Sequence, residues 1–186
     1  MTLTRAAVAR VLVAMDGIGR AQFPSSILNK HIIVEKIIAA LAASLEVCMR
    51  SVRDAHAGAT DEQNKAENKY DTRGLEAGYL ARGQSRQAAE VMQAMQRYEA
   101  LVVRGFAARE AIDVGAVVEL ERGGERAVYF VGPLAGGAEI DCDGESVQVI
   151  TPQSPLGQQI VGHKQGERLQ IKIGGASDSY RIVAVT

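Results

Sequence analysis

The sequence predicts an α+β protein in two parts: an N-terminal antiparallel helical hairpin, then a small antiparallel β-sheet domain carrying one short helix. Three observations lead there. A heptad seam runs through Val34, Ile38, Leu41, Leu45, Cys48, Val52 and Ala55, with spacings of four, three, four, three, four and three. A second seam in the same rhythm, counted back from Val102, follows it. Beyond Arg104-Gly105-Phe106 the apolar period changes from helical to alternating, as in strands with one buried face.

At 186 residues the chain is long enough for two small domains or one medium one. Its formal net charge of −1 lacks the basic excess of a protein that coats nucleic acid. Cys48 and Cys142 lie far apart without a C-x-x-C, and the histidines are scattered at His31, His56 and His163, so neither a structural zinc site nor a disulfide framework is expected. Residues 1–26 are read as a poorly ordered N-terminal extension. Arg5 and Arg10 among Ala, Val and Leu imitate an export signal, but Arg10 breaks the apolar run and no small-x-small cleavage site follows. The longest charge-free apolar run is too short to span a membrane, and a cytoplasmic location is expected.

The hairpin is placed at 27–104. Asn29 is the expected N-cap of its first helix and Gly58 the expected stop, giving a rod of about 40 Å at 1.5 Å per residue. The second seam is Val102, Tyr98, Met95, Val91, Ala88, Gln84, Ala81, Ala77, Gly74 and Tyr70. Its small middle residues suit close approach to the bulky Leu41 and Leu45 row. A parallel coiled-coil dimer is the alternative, but the break at Gly58-Ala59-Thr60-Asp61-Glu62 interrupts the seam, and Thr60 or Asp61 can cap a new helix. The tip, near 58–68, concentrates the carboxylates Asp61, Glu62 and Glu67, with Asp71 just beyond. On pattern alone such acids are a solvated connection with capping carboxylates.

A linker is expected at 105–112 and the sheet domain at 113–186. Strands are read at 116–121, 126–131, 138–141, 146–150, 168–173 and 179–185, with tight turns at Gly123-Gly124 and Gly174-Gly175. The segment 154–161 is amphipathic, with Pro155 in the first turn of a short helix.

The C-terminal stretch carries Ser154-Pro155-Leu156, Gly162-His163-Lys164, Gly166-Glu167 and Gly174-Gly175 at offsets that resemble the C-terminal domain of the bacterial Gre transcript-cleavage factors. In the helical half, Glu67-Asn68-Lys69-Tyr70 looks like the Glu-Asn-plus-aromatic tip of that family, so the resemblance covers about 27–185. It implies an FKBP-like C-terminal domain that docks on the rim of the RNA polymerase secondary channel through Ser154, Pro155, Leu156 and Gly157. It also implies a coiled coil that carries tip acids to the polymerase active site, where they help hold the polymerase's second Mg²⁺ and position the water that cleaves backtracked RNA. The tip residues assigned on this basis are Glu67, Asp61 and Glu62, with Asn64 and Asn68 adjacent and Glu67 as the shared Mg²⁺ ligand. RNA polymerase is then the partner, nascent RNA is met indirectly, no cofactor is stably bound, the factor is a monomer, and it has no active site of its own.

One departure stands out. Cleavage-competent Gre tips carry an Asp three residues before the Glu of Glu-Asn, and here that position is Asn64, which brings an amide oxygen but no charge. A channel-binding regulator without cleavage activity is therefore the alternative. Two other classes remain open: an FKBP-like prolyl isomerase, which would need an aromatic-lined pocket from Phe106, Tyr129, Phe130 and Tyr180, and a coiled-coil adaptor.

Overall fold

The computed structural model describes residues 28–60, 73–107, 109–173 and 175–186. Helix α1 (Lys30–Thr60) and helix α2 (Arg73–Glu99) pack along each other as the hairpin. The sheet is built of β1 (Val117–Arg122), β2 (Glu125–Val131), β3 (Glu139–Cys142), β4 (Glu145–Ile150), β5 (Arg168–Ile173) and β6 (Ala176–Val185), with α3 (Gly157–Ile160) between β4 and β5.

Asn29 caps α1 as its residue type dictates: Oδ1 accepts the N–H of His31 at 3.0 Å, and its carbonyl accepts the N–H of Ile33. Gly58 does not end the helix, which continues through Thr60. Along the seam, Val34 and Cys48 are buried and Ile38, Leu41, Leu45 and Val52 half-buried, while α2 contributes buried Ala88, Ala94 and Tyr98. Two expectations change at the base of the hairpin. Ile33 and Ile37, off the seam, are fully buried because the base of α1 also lies against the sheet. Val102, expected in the seam, is 78% exposed, because α2 ends at Glu99 and the chain then runs without regular structure, leaving Leu101 to pack inward.

The strand order is β3-β4-β2-β1-β6-β5. All neighbouring pairs are antiparallel except β2 and β4, which run parallel in the register Val128↔Val147 to Val131↔Ile150. The sheet is thus mostly antiparallel, as the sequence predicts, with the one parallel pair β2–β4 as the exception. After β2 the segment 132–138 carries the chain to the outer edge as β3, and β4 returns into the gap between β3 and β2. The turns are of the kind the residues demand: Gly123 and Gly124 take φ of 60° and 90°, as do Asp143 and Gly144 at 56° and 85°, the positive pair that twists a two-residue hairpin correctly.

Both faces of the sheet are covered. On one face Val118, Leu120, Val131, Ile150, Ile171, Ile182 and Val185 pack with Phe106, Ile112, and Leu156 and Ile160 from α3 and its approach. On the other, Val117, Val128, Phe130, Ile140, Val147 and Val149 receive Ile33, Val34, Ile37 and Tyr98 from the hairpin. The central strand β1 is thus buried on alternate sides, and Glu119, on the hairpin side, is only 6% exposed, paired with Arg126 at 2.9 Å. Arg126 and Arg181 also hold Glu121, and the Arg181 hydrogen bond keeps that carboxyl below its ordinary range.

Candidate functional site

The site inferred from sequence has two halves. Its tip residues Asp61, Glu62, Asn64, Glu67 and Asn68 lie outside the described residues. The structure places the arm that leads to them. Among the described residues no group of three or more His, Cys, Asp or Glu side chains is arranged to hold a metal ion, and no helix is long and apolar enough to cross a membrane.

The second half, Ser154 to Gly157, is a compact turn on the sheet face opposite the hairpin. Ser154 organises it: its hydroxyl donates to the Thr151 carbonyl at 2.8 Å and accepts the Gly157 N–H at 3.0 Å, while its own N–H reaches the same Thr151 carbonyl at 2.9 Å. The Ser154 carbonyl accepts the Gln158 N–H, so a helical turn begins at Ser154, three residues ahead of Gly157. Gly157 is fixed by close approach: a Cβ there would lie 1.9 Å from the Thr151 carbonyl oxygen.

The fold divides four residues that the sequence treats alike. Leu156 is 8% exposed and belongs to the core, Gly157 is buried backbone, and Ser154 is half-buried and occupied with the turn. Pro155 alone presents its side chain outward. A partner approaching this turn meets the Pro155 ring with exposed Gln153 and Gln158 beside it.

Gln159, which the sequence reading passed over, secures the turn to the sheet. Its Nε2 donates to the carbonyls of Pro155 at 2.6 Å and Lys172 at 3.0 Å, and its Oε1 accepts the Lys172 N–H at 2.8 Å. The side-chain amide thereby stands in for a neighbouring strand on the outer edge of β5. The Gly-Gln-Gln spacing gave no hint of this, since the partner strand is thirteen residues away. His163 Nδ1 and Glu167 Oε2 are 2.6 Å apart, and this hydrogen bond lowers the Glu167 carboxyl below its ordinary range.

The passage from hairpin to sheet domain is also built from specific contacts. The Phe106 ring, on the edge of the core, lies beneath Lys30 Nζ at 4.6 Å and the Arg104 guanidinium at 4.0 Å. Lys30 donates to the Arg104 carbonyl at 2.7 Å, and Arg104 pairs with Glu110 at 2.5 Å. Burial, followed by the nearby Arg104 charge, brings the Lys30 ammonium down to about 8. The stretch expected as a plain linker is therefore anchored at Phe106 and Ile112, both buried.

Residues 107–186 match the family model described as the C-terminal domain of the transcription elongation factors GreA and GreB. The match covers less than half of the chain, and over those residues the chain is similar to that domain. Among solved structures, GreA factor homolog 1 of Thermus thermophilus aligns at 23% identity, covering 80% of this chain and 94% of that one, with a TM-score of 0.33. Its counterpart from Thermus aquaticus aligns at 23% identity over 79% and 92%, with a TM-score of 0.35. A GreA/GreB factor from Nitrosomonas europaea aligns at 18% identity over 60% and 92%, with a TM-score of 0.32. No curated protein matches the chain. The matched residues contain the Ser154–Gly157 turn and all six strands.

Proposed function

We propose that the protein is an RNA polymerase-binding regulator of transcription elongation, whose Gre-type domain docks on the polymerase while the hairpin carries the 61–68 tip into the secondary channel. The observation that carries this reading is the GreA/GreB domain match at 107–186 on a chain whose preceding residues form a long helical hairpin seated on that domain's sheet. Pro155 is the outward contact of the docking turn, with Ser154, Leu156 and Gly157 holding it in shape. The factor acts as a monomer, in the cytoplasm, as an accessory to the polymerase active site and not as a catalyst in its own right.

At the tip, Glu67 supplies one hard anionic oxygen donor toward the polymerase's Mg²⁺, and Asn64 supplies an uncharged amide. With one of the two expected carboxylates replaced, the tip occupies the channel and competes for access to the active site more effectively than it promotes RNA cleavage. Asp61 and Glu62 are the acids available to restore the missing charge.

A backtracked-complex assay with purified polymerase tests this directly, comparing wild type with Glu67→Ala and Asn64→Asp. Binding without cleavage by the wild type, and cleavage gained by Asn64→Asp, is the outcome this reading requires. Cleavage by the wild type that is lost in Glu67→Ala shows instead a competent tip. Absence of polymerase binding in every form removes the assignment and leaves the adaptor reading. The isomerase reading is disfavoured by packing: Phe130 is fully buried against Tyr98, and Tyr129 and Tyr180 pack on the opposite core, so these aromatic side chains are already engaged.

A further inference from the structure

The hairpin meets the sheet mainly through apolar side chains, Ile33, Val34 and Ile37 against Val117, Val128, Phe130, Ile140, Val147 and Val149. Such a contact is strong but non-directional, and aliphatic surfaces tolerate rotation over one another. One contact is different. Tyr98, one residue before the end of α2, is 1% exposed and stacks on Phe130 with ring centroids 6.5 Å apart. Its hydroxyl reaches past β2 and donates to the Leu134 carbonyl at 2.9 Å. It fits there because residue 132 is glycine: a Cβ on Gly132 would stand 2.0 Å from the Tyr98 hydroxyl oxygen, 3.0 Å from Cζ and 3.1 Å from Val149 Cγ1.

We propose that Tyr98 is the positioning residue of the hairpin: seated in the notch at Gly132 and hydrogen-bonded to Leu134, it sets the angle at which the arm leaves the sheet. The functional weight of this rests on the reading that the arm delivers a tip to a distant site. With 31 residues, α1 is about 46 Å long, so a tilt of about 5° at the base moves its far end by about 4 Å. A misplacement of about 1 Å is enough to disable a catalytic or metal-binding group. An aimed arm therefore needs a directional contact at its base, and a hydrogen bond in a closed notch provides one. Lys36, which donates to the Asp141 carbonyl at 2.6 Å, is exposed and on a flexible stem, and it assists without fixing an angle.

The notch makes a specific genetic prediction. Gly132→Ala drives the Tyr98 hydroxyl out, but in a Gly132→Ala, Tyr98→Phe double variant the oxygen at 2.0 Å is gone, and the nearest remaining contacts, 3.0 and 3.1 Å, relax with small shifts. Spin labels at Gln93→Cys on α2 and Gln170→Cys on β5 report the angle by pulsed electron resonance on the full free chain. Both positions are exposed, and the native Cys48 and Cys142, 4% and 3% exposed, escape labelling. Wild type should give one narrow distance distribution, Gly132→Ala a shifted one, and the double variant a return to the wild-type mean distance with a wider spread, because the ring is reseated while its hydrogen bond to Leu134 is gone. An unchanged distribution in Gly132→Ala, failure of Tyr98→Phe to restore the mean distance, or a double variant as narrow as wild type overturns the proposal. Should Gly132→Ala not fold, Tyr98→Ala decides, since it empties the notch: broadening supports the role and an unchanged distance ends it. Polymerase is absent from these measurements, so failure of the polymerase reading and failure of the aiming role are separately visible.

Discussion

Substituting Gly157 by alanine is the sharpest test of how the Ser154–Gly157 turn is held. The added methyl would lie 1.9 Å from the Thr151 carbonyl oxygen and 2.8 Å from its carbon, both backbone atoms that no rotamer change can move. Reaching even a 3.0 Å separation requires Thr151 and residue 157 to part by 1.1 Å, the difference of those two distances. That opening breaks the Ser154 N–H and O–H bonds to Thr151 and the Gly157 N–H bond to Ser154. At about 1 kcal/mol net for each of three hydrogen bonds, the loss is about 3 kcal/mol. Alanine's better helix propensity returns about 1 kcal/mol, leaving a net destabilisation of about 2 kcal/mol. Urea denaturation followed by far-ultraviolet circular dichroism measures it as a lower midpoint at unchanged slope. A loss below about 0.5 kcal/mol, the usual range for a surface change, would refute the claim that this glycine is required by close approach.

Other consequences can be checked with single variants. Leu156→Ala, at a core position, should lower stability by about 2–4 kcal/mol, whereas exposed Pro155→Ala should leave stability within about 0.5 kcal/mol and weaken polymerase binding in a pull-down or fluorescence titration. Gln159→Ala should speed hydrogen exchange at the Lys172 amide by about tenfold, because the edge of β5 loses its side-chain partner. For Lys30, whose folded value of about 8 lies below its ordinary 10.5, the unfolded chain holds more protons between those values, so this residue contributes stability that rises with pH across that window. The stability difference between wild type and Lys30→Met, followed by chemical denaturation, should therefore shift in favour of wild type from pH 8 to 10.5 and be level below pH 8.

The parts legible in the sequence are those whose cause is local. A cap such as Asn29, a glycine pair such as Gly123-Gly124 and the alternation of Leu169, Ile171 and their polar neighbours each state their conformation within a few residues. The helical seam was readable for the same reason, since it repeats along one helix. What escaped is set by partners far away in the chain. Ile33 and Ile37 are buried by a sheet that begins eighty or more residues later, so no heptad count assigns them. The parallel pairing of β2 with β4 depends on which strand fills the gap left by β3, and each strand's own pattern is the same either way. Nothing local marks Gly132, because its requirement comes from Tyr98 on another element. At the docking turn the resemblance located Ser154 to Gly157, but only burial separates Pro155, which faces outward, from Leu156, which does not.

The two faces of the sheet tie these observations into one mechanical design. The Ser154–Gly157 turn lies on the face opposite the hairpin, and its Leu156 packs into the same core as Val118 and Leu120 of β1. The hairpin packs on the other face against Val117 of the same strand. A strand buried on both sides is among the least compliant elements a small domain offers, because close-packed interiors transmit displacement instead of absorbing it. The turn that carries Pro155 and the seat of Tyr98 are therefore joined through the packing of β1 and β2. On this arrangement, loosening the core beneath the turn and loosening the notch at Gly132 should have different signatures. The first weakens docking and stability together, while the second leaves docking intact and misdirects the arm.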